Sequence, residues 1–437
     1  MRLSQKPPPR PHDYPDTYYR RTAYPAGPFQ PLERDSHVDV AVVGGGLAGL
    51  TTALELVRRG RSVAVLEANR VAWGASGRNG GFVSPGFALS TGALVARLGR
   101  ERAGALMRLS AMGARYVRET ARALGIHRAD IADNGQLSVI RYDDAEGLAR
   151  RAELMAGFGR AVEVWPTDKV RSVLRTERYH QGLFDPAAFQ CHPLNYAHGL
   201  ADAVCRQGGQ VHERSLVTSI SREGPTLLVA SGAHRLACRD VVIATGGYTG
   251  NLVPALGRAM VPVATYVMLT ERIGDRLQDI IGTNAAILDV RRASDYYRVV
   301  DGDRLLWGGR ITARTAEPAD LAEKLHDDME AVYPQLASVR VTAAWSGLMA
   351  YARHKMPQIG RLPDGLWYAS SFGGHGLNTT AMAGLLLAQA IAEGDDRYRL
   401  FEPFGLTWTG GPAGGVAAQA TYGYYRLADW WRERRAR

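Results

Sequence analysis

Val38-Asp39-Val40-Ala41-Val42-Val43-Gly44-Gly45-Gly46-Leu47-Ala48-Gly49-Leu50 decides the fold. Residues 38–43 are a short apolar run with the composition of a buried strand. Gly44, Gly46 and Gly49 follow at once in G-x-G-x-x-G spacing. Residues 50–60 predict a helix, with Leu50, Ala53, Leu54 and Val57 on one face. Residues 62–66 read as a second strand, and Glu67 closes it, 18 residues after Gly49. Strand, glycines, helix, strand and acid in register form a βαβ dinucleotide-binding unit. Gly44 permits the tight turn. Gly46 lets a diphosphate approach backbone N–H groups at the helix start, and Gly49 lets helix and strand pack closely. Glu67 can accept hydrogen bonds from both ribose hydroxyls and would repel a 2′-phosphate. The bland alternative is a tight β–α turn in a Rossmann-like sheet with no ligand.

Working outward, residues 71–81 (Val-Ala-Trp-Gly-Ala-Ser-Gly-Arg-Asn-Gly-Gly) concentrate glycine and small polar residues between the apolar anchors Trp73 and Phe82-Val83. Such a segment brings backbone close to something flat or phosphorylated. Residues 240–247 (Asp-Val-Val-Ile-Ala-Thr-Gly-Gly) form an apolar run ending in Thr245-Gly246, by itself a buried-strand signal; it resembles the strand that, in two-dinucleotide-domain flavoproteins, returns beside the first and passes under the diphosphate. Residues 371–380 (Ser-Phe-Gly-Gly-His-Gly-Leu-Asn-Thr-Thr) open a helix reaching about residue 393. A glycine-rich turn at a helix start offers free N–H groups and positive dipole potential. That suits the electron-rich pyrimidine edge of a reduced flavin.

The intervening chain differs in texture. Residues 92–125 predict one or two helices, 135–140 a strand and 144–158 a helix. Residues 193–207 predict a helix, 210–212 a strand, and 226–229 with 235–238 a hairpin. Strands are expected at 261–270, 296–300 and 304–307, with Asp301-Gly302-Asp303 as a turn and a helix at 319–333. The fold class is therefore α/β, a Rossmann-like domain with a parallel sheet and an inserted antiparallel-sheet α+β domain. The expected boundaries are an arm at 1–36, a nucleotide-binding domain at 37–91, 185–257 and 346–437, and a substrate domain at 92–184 and 258–345.

Composition excludes several classes. The chain has 437 residues and a formal charge of +10. Only Lys6, Lys169, Lys324 and Lys355 are lysines, so 49 of the 53 basic residues are arginines, interleaved with acids. A nucleic-acid binder would gather them on a stripe, so a nucleic-acid partner is not expected. Cys191, Cys205 and Cys238 are isolated, which predicts no metal site or disulfide framework and a reducing, cytoplasmic setting. Residues 1–15 are Pro-rich and charged, unlike a signal peptide, and the apolar stretch at 382–392 is too short to span a bilayer. The arm carries Tyr14, Tyr18, Tyr19 and Tyr24, which suggests that part of it lies across the body. Residues 424–437 predict a basic helix with Trp430 and Trp431. Oligomeric state is not readable.

These stretches resemble the D-amino-acid-oxidase-like family of FAD-dependent enzymes, the glycine/sarcosine oxidase group, from Tyr18 onward. The likeness is greatest to the branch containing γ-glutamylputrescine oxidases and L-pipecolate oxidases. It is carried by Tyr18-Tyr19, residues 73–81, His192-Pro193-Leu194-Asn195, Asp295-Tyr296-Tyr297-Arg298, Leu305-Leu306-Trp307-Gly308-Gly309 and Gly374-His375-Gly376-Leu377-Asn378. The resemblance implies FAD across the first domain, its ring under an antiparallel sheet. It implies oxidation of an amine or amino-acid C–N bond to an imine, with O2 as acceptor. The cofactor residues expected are Gly44, Gly46, Leu47, Ala48, Gly49, Glu67, Ala68, Gly74, Ala75, Ser76, Arg78, Asn79, Gly80, Gly81, Val217, Thr245, Gly246, Gly374, His375, Gly376, Leu377, Asn378 and Thr379. The catalytic and pocket candidates are Arg310, Tyr297, Tyr351, His375, Asn378 and Trp307.

Three departures from sarcosine oxidases bear on chemistry. Tyr351 stands where those enzymes tether flavin through Cys, and no His lies beside Ser76-Gly77, so FAD is expected to be noncovalent. Asn378 replaces the Lys that grips a substrate carboxylate, leaving Arg78, Arg310 or Arg353 to take over, or a longer amine as donor. Arg310 follows Gly308-Gly309 where an oxygen-activating Lys is expected, which leaves oxidase and dehydrogenase both open. A flavoprotein hydroxylase and a tRNA-modifying flavoprotein are the other classes with this nucleotide-binding unit.

Overall fold

The computed structural model describes residues 13–291 and 294–435. The first 12 residues of the expected arm and the last two of the expected terminal helix lie outside them. In chain order the strands that matter are β1 (Val40–Val43), β2 (Val63–Leu66), β3 (Gln136–Val139), β4 (Glu163–Trp165), β5 (Gly182–Asp185), β6 (Gln210–His212) and β7 (Asp240–Ile243). They continue as β8 (Val261–Thr270), β9 (Ala286–Asp289), β10 (Tyr296–Val300), β11 (Arg304–Thr312), β12 (Val341–Tyr351), β13 (Gln358–Arg361) and β14 (Trp367–Ser370). The helices are α1 (Leu47–Arg58), α2 (Thr91–Ala123), α3 (Ala145–Ala156), α4 (Pro193–Arg206), α5 (Leu321–Val332), α6 (Gly376–Glu393) and α7 (Pro412–Arg435).

The apolar run of β1 becomes an inner strand of a six-stranded sheet in the order β13-β14-β7-β1-β2-β6. All its neighbours pair in parallel except the antiparallel edge strand β13. All four residues of β1 and of β2 are buried, as expected of strands covered on both faces. α1 buries Leu50, Ala53 and Leu54 completely, each contributing up to about 1.5–3 kcal/mol in the case of a leucine. α6 is apolar almost all round because it runs between α1 and α2. The approach to α1 is so close that a Cβ on Gly384 would lie 2.7 Å from Thr51 Cβ.

The second sheet has eight strands in the order β12-β8-β11-β10-β9-β3-β5-β4. Only β9 and β3 pair in parallel. Its outer face packs on α5 through Leu321, Leu325, Met329 and Val332. A Rossmann-like unit joined to an antiparallel-sheet unit is the architecture read from sequence.

Two assignments differ in packing. The sequence assigns α2 to the inserted unit, yet Leu94, Leu106, Leu109 and Val117 join the core around α1 and α6. Its helical period gives it an apolar stripe, and α6 is the surface that buries it. The sequence assigns α7 to the nucleotide-binding unit, yet it lies against β8 and β11 of the second sheet. From residue 13 onward the arm lies against the body, as its tyrosines suggest. Tyr14 donates 2.7 Å to Val71 O, Tyr18 donates 2.8 Å to Asp301, and Tyr19 is fully buried.

Candidate active site

A cavity of about 1260 Å³ runs from the N-terminus of α1 to the N-terminus of α6 and is roofed by the inner face of the second sheet. At the α1 end, Gly44 has φ +110, and a Cβ there would sit 2.6 Å from Ala244 O. Only glycine makes that turn at the side of β7. The Gly45 N–H donates 2.7 Å to Glu67 Oε2, and the Asn69 N–H donates 2.9 Å to Oε1. Burial raises the Glu67 pKa, and these two N–H groups offset only part of that rise. The carboxylate thus fixes the loop and still faces the cavity. The start of α1 has no side-chain cap of its own, and Ser76 Oγ accepts from the Leu47 N–H at 3.0 Å. Leu47, Ala48, Ala68, Gly74, Ala75, Asn79, Gly80, Val217, Thr245 and Gly246, all singled out from sequence, line this cavity.

Arg78 spans this region. Its guanidinium lies 4.2 Å over the Trp73 ring, Nε donates 2.7 Å to Trp73 O and Nη1 donates 3.3 Å to Ser346 O. Nη2 is buried with no hydrogen-bond partner among the described residues, and burial lowers the Arg78 pKa. A buried donor on a cation calls for an anion or a carbonyl oxygen. FAD carries both, and together with the glycine cradle this fits the group.

At the other end, Tyr351 ends β12 beside the Gly373-Gly374 turn, and the Gly374 backbone N–H bonds to it, partly offsetting burial, which raises its pKa. His375 also lines the cavity. Burial first, then Arg160 and Arg151, push its pKa down to about 4, so the ring is neutral at pH 7. A Cβ on Gly376 would meet no atom within 4 Å, so the first turn of α6 opens straight into the cavity.

Seven expected residues fall elsewhere. Tyr297 is fully buried on the outer face of the second sheet, stacked on Trp307 at 4.4 Å and bonded to the Tyr333 hydroxyl at 2.7 Å. Strand alternation is the reason: Tyr296, one residue earlier, faces the cavity instead. Trp307 pairs with Tyr297 in register and shares its face. Arg310 has φ +50 at a bulge where Tyr266 pairs with Gly309 and Thr265 with Ile311. That bulge turns Arg310 outward to a two-point pair with Asp328 on α5, at 2.5 and 2.9 Å. Asn378 donates 2.8 Å to Ser110 Oγ on α2 and 3.3 Å to Gly86 O, so it links two helices rather than lining the cavity. Thr379 is buried behind it and donates 2.5 Å to His375 O. Gly81 faces Cys191 O and Arg298, and Gly49 packs under Gly44 against Val42, the close-packing role read for it. Neither of those two glycines lines the cavity.

Sequence reasoning missed Tyr296, Tyr248, Thr265, Arg151, Lys355, Tyr422 and Tyr425, all of which line it. Gly308 was the available signal for Tyr296. A Cβ there would run into the Tyr296 ring, so the glycine exists to let that ring lie flat across the strand.

The fold and this cavity define a dinucleotide-binding protein with a second sheet closing over the far end of the cavity. The chain belongs to the DAO family of FAD-dependent oxidoreductases, whose profile matches residues 39–390. It is 31% identical to the γ-glutamylputrescine oxidoreductase of Escherichia coli (strain K12) over 392 residues, 89% of this chain and 92% of that protein. It is 24% identical to the glycine oxidase of Geobacillus kaustophilus over 382 residues, 84% of this chain and 96% of that enzyme. The crystal structure of a glycine oxidase from that organism superposes with a TM-score of 0.73 at 22% identity, over 85% of this chain and 98% of the other. The L-proline dehydrogenase from P. horikoshii gives 0.70 at 20% identity, over 86% and 100%. No helix among the described residues is long and apolar enough to cross a membrane.

Proposed function

We propose that this protein oxidises the C–N bond of an amine or amino acid to an imine, with noncovalent FAD in the cavity and O2 as final acceptor. The single observation behind this reading is the continuity of the cavity. One end is a diphosphate cradle, the other is a helix N-terminus, and an apolar sheet face closes over the second end. FAD held there would supply a two-electron acceptor for oxidation of the donor's C–N bond, with O2 as the final acceptor and hydrogen peroxide as its product.

The chain's own residues do the rest. Gly44, Gly46 and the α1 N–H groups hold the diphosphate, and Glu67 takes the ribose hydroxyls. The N-terminus of α6 places positive potential where negative charge develops. Tyr296, Tyr351, Leu348 and Ile311 supply a wall that orients the donor and excludes water. His375 stays neutral, so it sets no second positive charge beside the donor nitrogen and can accept a hydrogen bond from it. None of Cys191, Cys205 and Cys238 lines the cavity, which favours a noncovalent cofactor. The γ-glutamylputrescine, glycine and L-proline enzymes named above act, by their names, on nitrogen compounds, which supports the donor class.

Anaerobic mixing of the yellow protein with primary, secondary and cyclic amines tests this. Bleaching of the flavin by at least one amine, with colour restored by air, is expected. A protein that refuses FAD, or a flavin that no amine bleaches, ends the proposal. Bleaching that air does not reverse removes O2 as acceptor.

A further inference from the structure

We propose that helix α7 forms a wall of the donor pocket, and that Tyr422 and Tyr425 on it select an amine carrying an aryl or extended alkyl group over a small one. This rests on the amine-oxidation reading above and names a donor class for it.

α7 reaches the cavity through Gly414, Ala417, Ala418, Thr421, Tyr422 and Tyr425. Gly414, Ala418, Tyr422 and Tyr425 stand four, four and three residues apart, so they share one helix face. The family profile ends at residue 390 and α7 begins at Pro412, so this wall lies outside the segment that the profile matches. The helix is fixed at three places. Just before it, the Thr409 N–H donates 3.0 Å to Arg258 O, and Thr409 Oγ1 donates 3.2 Å to Met260 O. Within it, Gln419 Oε1 accepts from Thr312 Oγ1 at 2.7 Å and from the Ala313 N–H at 3.1 Å, which ties it to the end of β11. Near its far end Glu433 lies 3.9 Å from Arg291, itself on the cavity wall. A helix held in this way keeps the same face turned to the pocket.

That face continues a row of rings. Tyr351 lies against the turn before α6: a Cβ on Gly373 would sit 2.8 Å from its ring. Tyr422 is within electrostatic reach of Tyr351, and its ring centroid is 6.4 Å from that of Tyr425 at an interplanar angle of 73°. Lys355 Nζ lies 5.4 Å from the Tyr425 ring. The row therefore runs from the α6 turn, where the flavin ring is assigned, out onto α7. Both α7 tyrosines are half-buried and line the cavity, so ring surface remains open to a ligand. The charged residues Arg426, Asp429, Arg432, Glu433 and Arg434 of the same helix stay off the cavity wall. An uncharged face with two phenol rings gains by covering apolar area and by ring-on-ring contact. A two-carbon amine leaves that face wet, whereas an aryl or hexyl group covers it.

The test uses FAD-loaded protein with benzylamine, 4-phenylbutylamine and hexylamine, each against ethylamine. The wild type is expected to reduce its flavin with a kcat/KM at least 10-fold higher for one or more of the larger donors than for ethylamine. In the double variant Tyr422→Ala, Tyr425→Ala that ratio falls to near one, mainly through KM. The pair Tyr422→Phe, Tyr425→Phe keeps it, because the rings survive and only the hydroxyls are lost. Calorimetric titration with 4-phenylbutanol, which has no amine, reads the wall separately. Its affinity is expected to drop at least 10-fold in the alanine pair at unchanged FAD content. If no amine bleaches the flavin but 4-phenylbutanol binding depends on the two rings, the amine reading fails and the wall stands. If amines bleach the flavin, three results each refute the wall alone: a wild-type ratio near one, a ratio or alcohol affinity unchanged in the alanine pair, or a ratio lost equally in the phenylalanine pair. If no amine bleaches the flavin and the alcohol binds both proteins alike, both readings fall.

Discussion

Replacing Gly44 by alanine probes the turn on which the cofactor cradle depends. The backbone there has φ +110, a region that costs a residue with a Cβ about 1–3 kcal/mol. The new Cβ would also lie 2.6 Å from Ala244 O and 2.9 Å from Ala244 C. Reaching the 3.0 Å below which real Cβ atoms are essentially never found requires β1 and β7 to separate by about 0.4 Å (3.0 − 2.6). Both strands are buried and paired residue for residue from Val40 with Asp240 to Val43 with Ile243, so the sheet resists. Overpacking of this kind costs about 1–3 kcal/mol, giving roughly 2–6 kcal/mol in all. The loss falls on cofactor binding too, because the turn sets where the first N–H groups of α1 point. Loss of one charge-assisted hydrogen bond to a diphosphate is worth about 1.5–3 kcal/mol, or roughly 10–100-fold in Kd. Gly376→Ala is the matched control at the far end. Its Cβ meets no atom within 4 Å, so the ligand-free protein should unfold within about 1 kcal/mol of wild type. Its methyl projects into the space assigned to the flavin ring, so FAD affinity and the flavin spectrum should change nonetheless. Thermal melts of deflavinated protein and FAD titrations read both quantities. A Gly44→Ala protein with wild-type midpoint and FAD affinity refutes the cradle, and a Gly376→Ala protein with wild-type FAD binding removes the ring from the α6 turn.

Arg310→Ala and Asn378→Ala should leave the ranking of amine donors by kcat/KM unchanged, since neither side chain reaches the cavity; the first should cost at most about 1 kcal/mol in a thermal melt and the second about 1–3 kcal/mol. A reordered ranking in either variant would contradict the placement. Stability should also fall in acid through His192, whose Nδ1 accepts from the Asn195 N–H at 3.1 Å and whose Nε2 pairs with Thr22 Oγ at 3.0 Å. Burial and Arg298 push its pKa from 6.5 to about 3, so between these values the unfolded chain binds a proton that the folded one refuses, and stability drops by about 1.4 kcal/mol per pH unit as pH falls. His192→Asn keeps a side-chain cap on α4 and should flatten that slope in chemical denaturation at pH 4 and 6; equal slopes would show that His192 is not the group responsible.

The nucleotide-binding half was legible because its requirements are written into backbone geometry. A positive φ beside a crossing strand admits glycine at 44 and nothing else, and an acid must stand at the end of β2 to meet the loop N–H groups. Such constraints restrict residue type at fixed spacing, so one sequence suffices to see them. The assignment of α2 failed for a different reason. Its stripe from Leu94 to Val117 announces that it is buried but not against what, and the partner, α6, lies more than 250 residues further along the chain.

The donor half was hard to read because both faces of its sheet are buried. Where one face meets water, alternation of apolar and polar residues fixes which side chains point inward. In β10 the two candidates are adjacent tyrosines, and both are enclosed by protein. Their identities cannot separate them. The choice is made by neighbours: Tyr333 offers Tyr297 a hydroxyl on the outer side, while Gly80 and Gly308 leave room for the Tyr296 ring on the inner one. The bulge at Arg310 adds a second displacement, sending a long cation outward to Asp328 when simple alternation from Gly308 would send it in. Catalytic roles in this half therefore attach to faces rather than to residue types. A functional side chain can be picked from such a strand only through a position whose smallness is itself unexplained, as Gly308 is until the ring above it is seen.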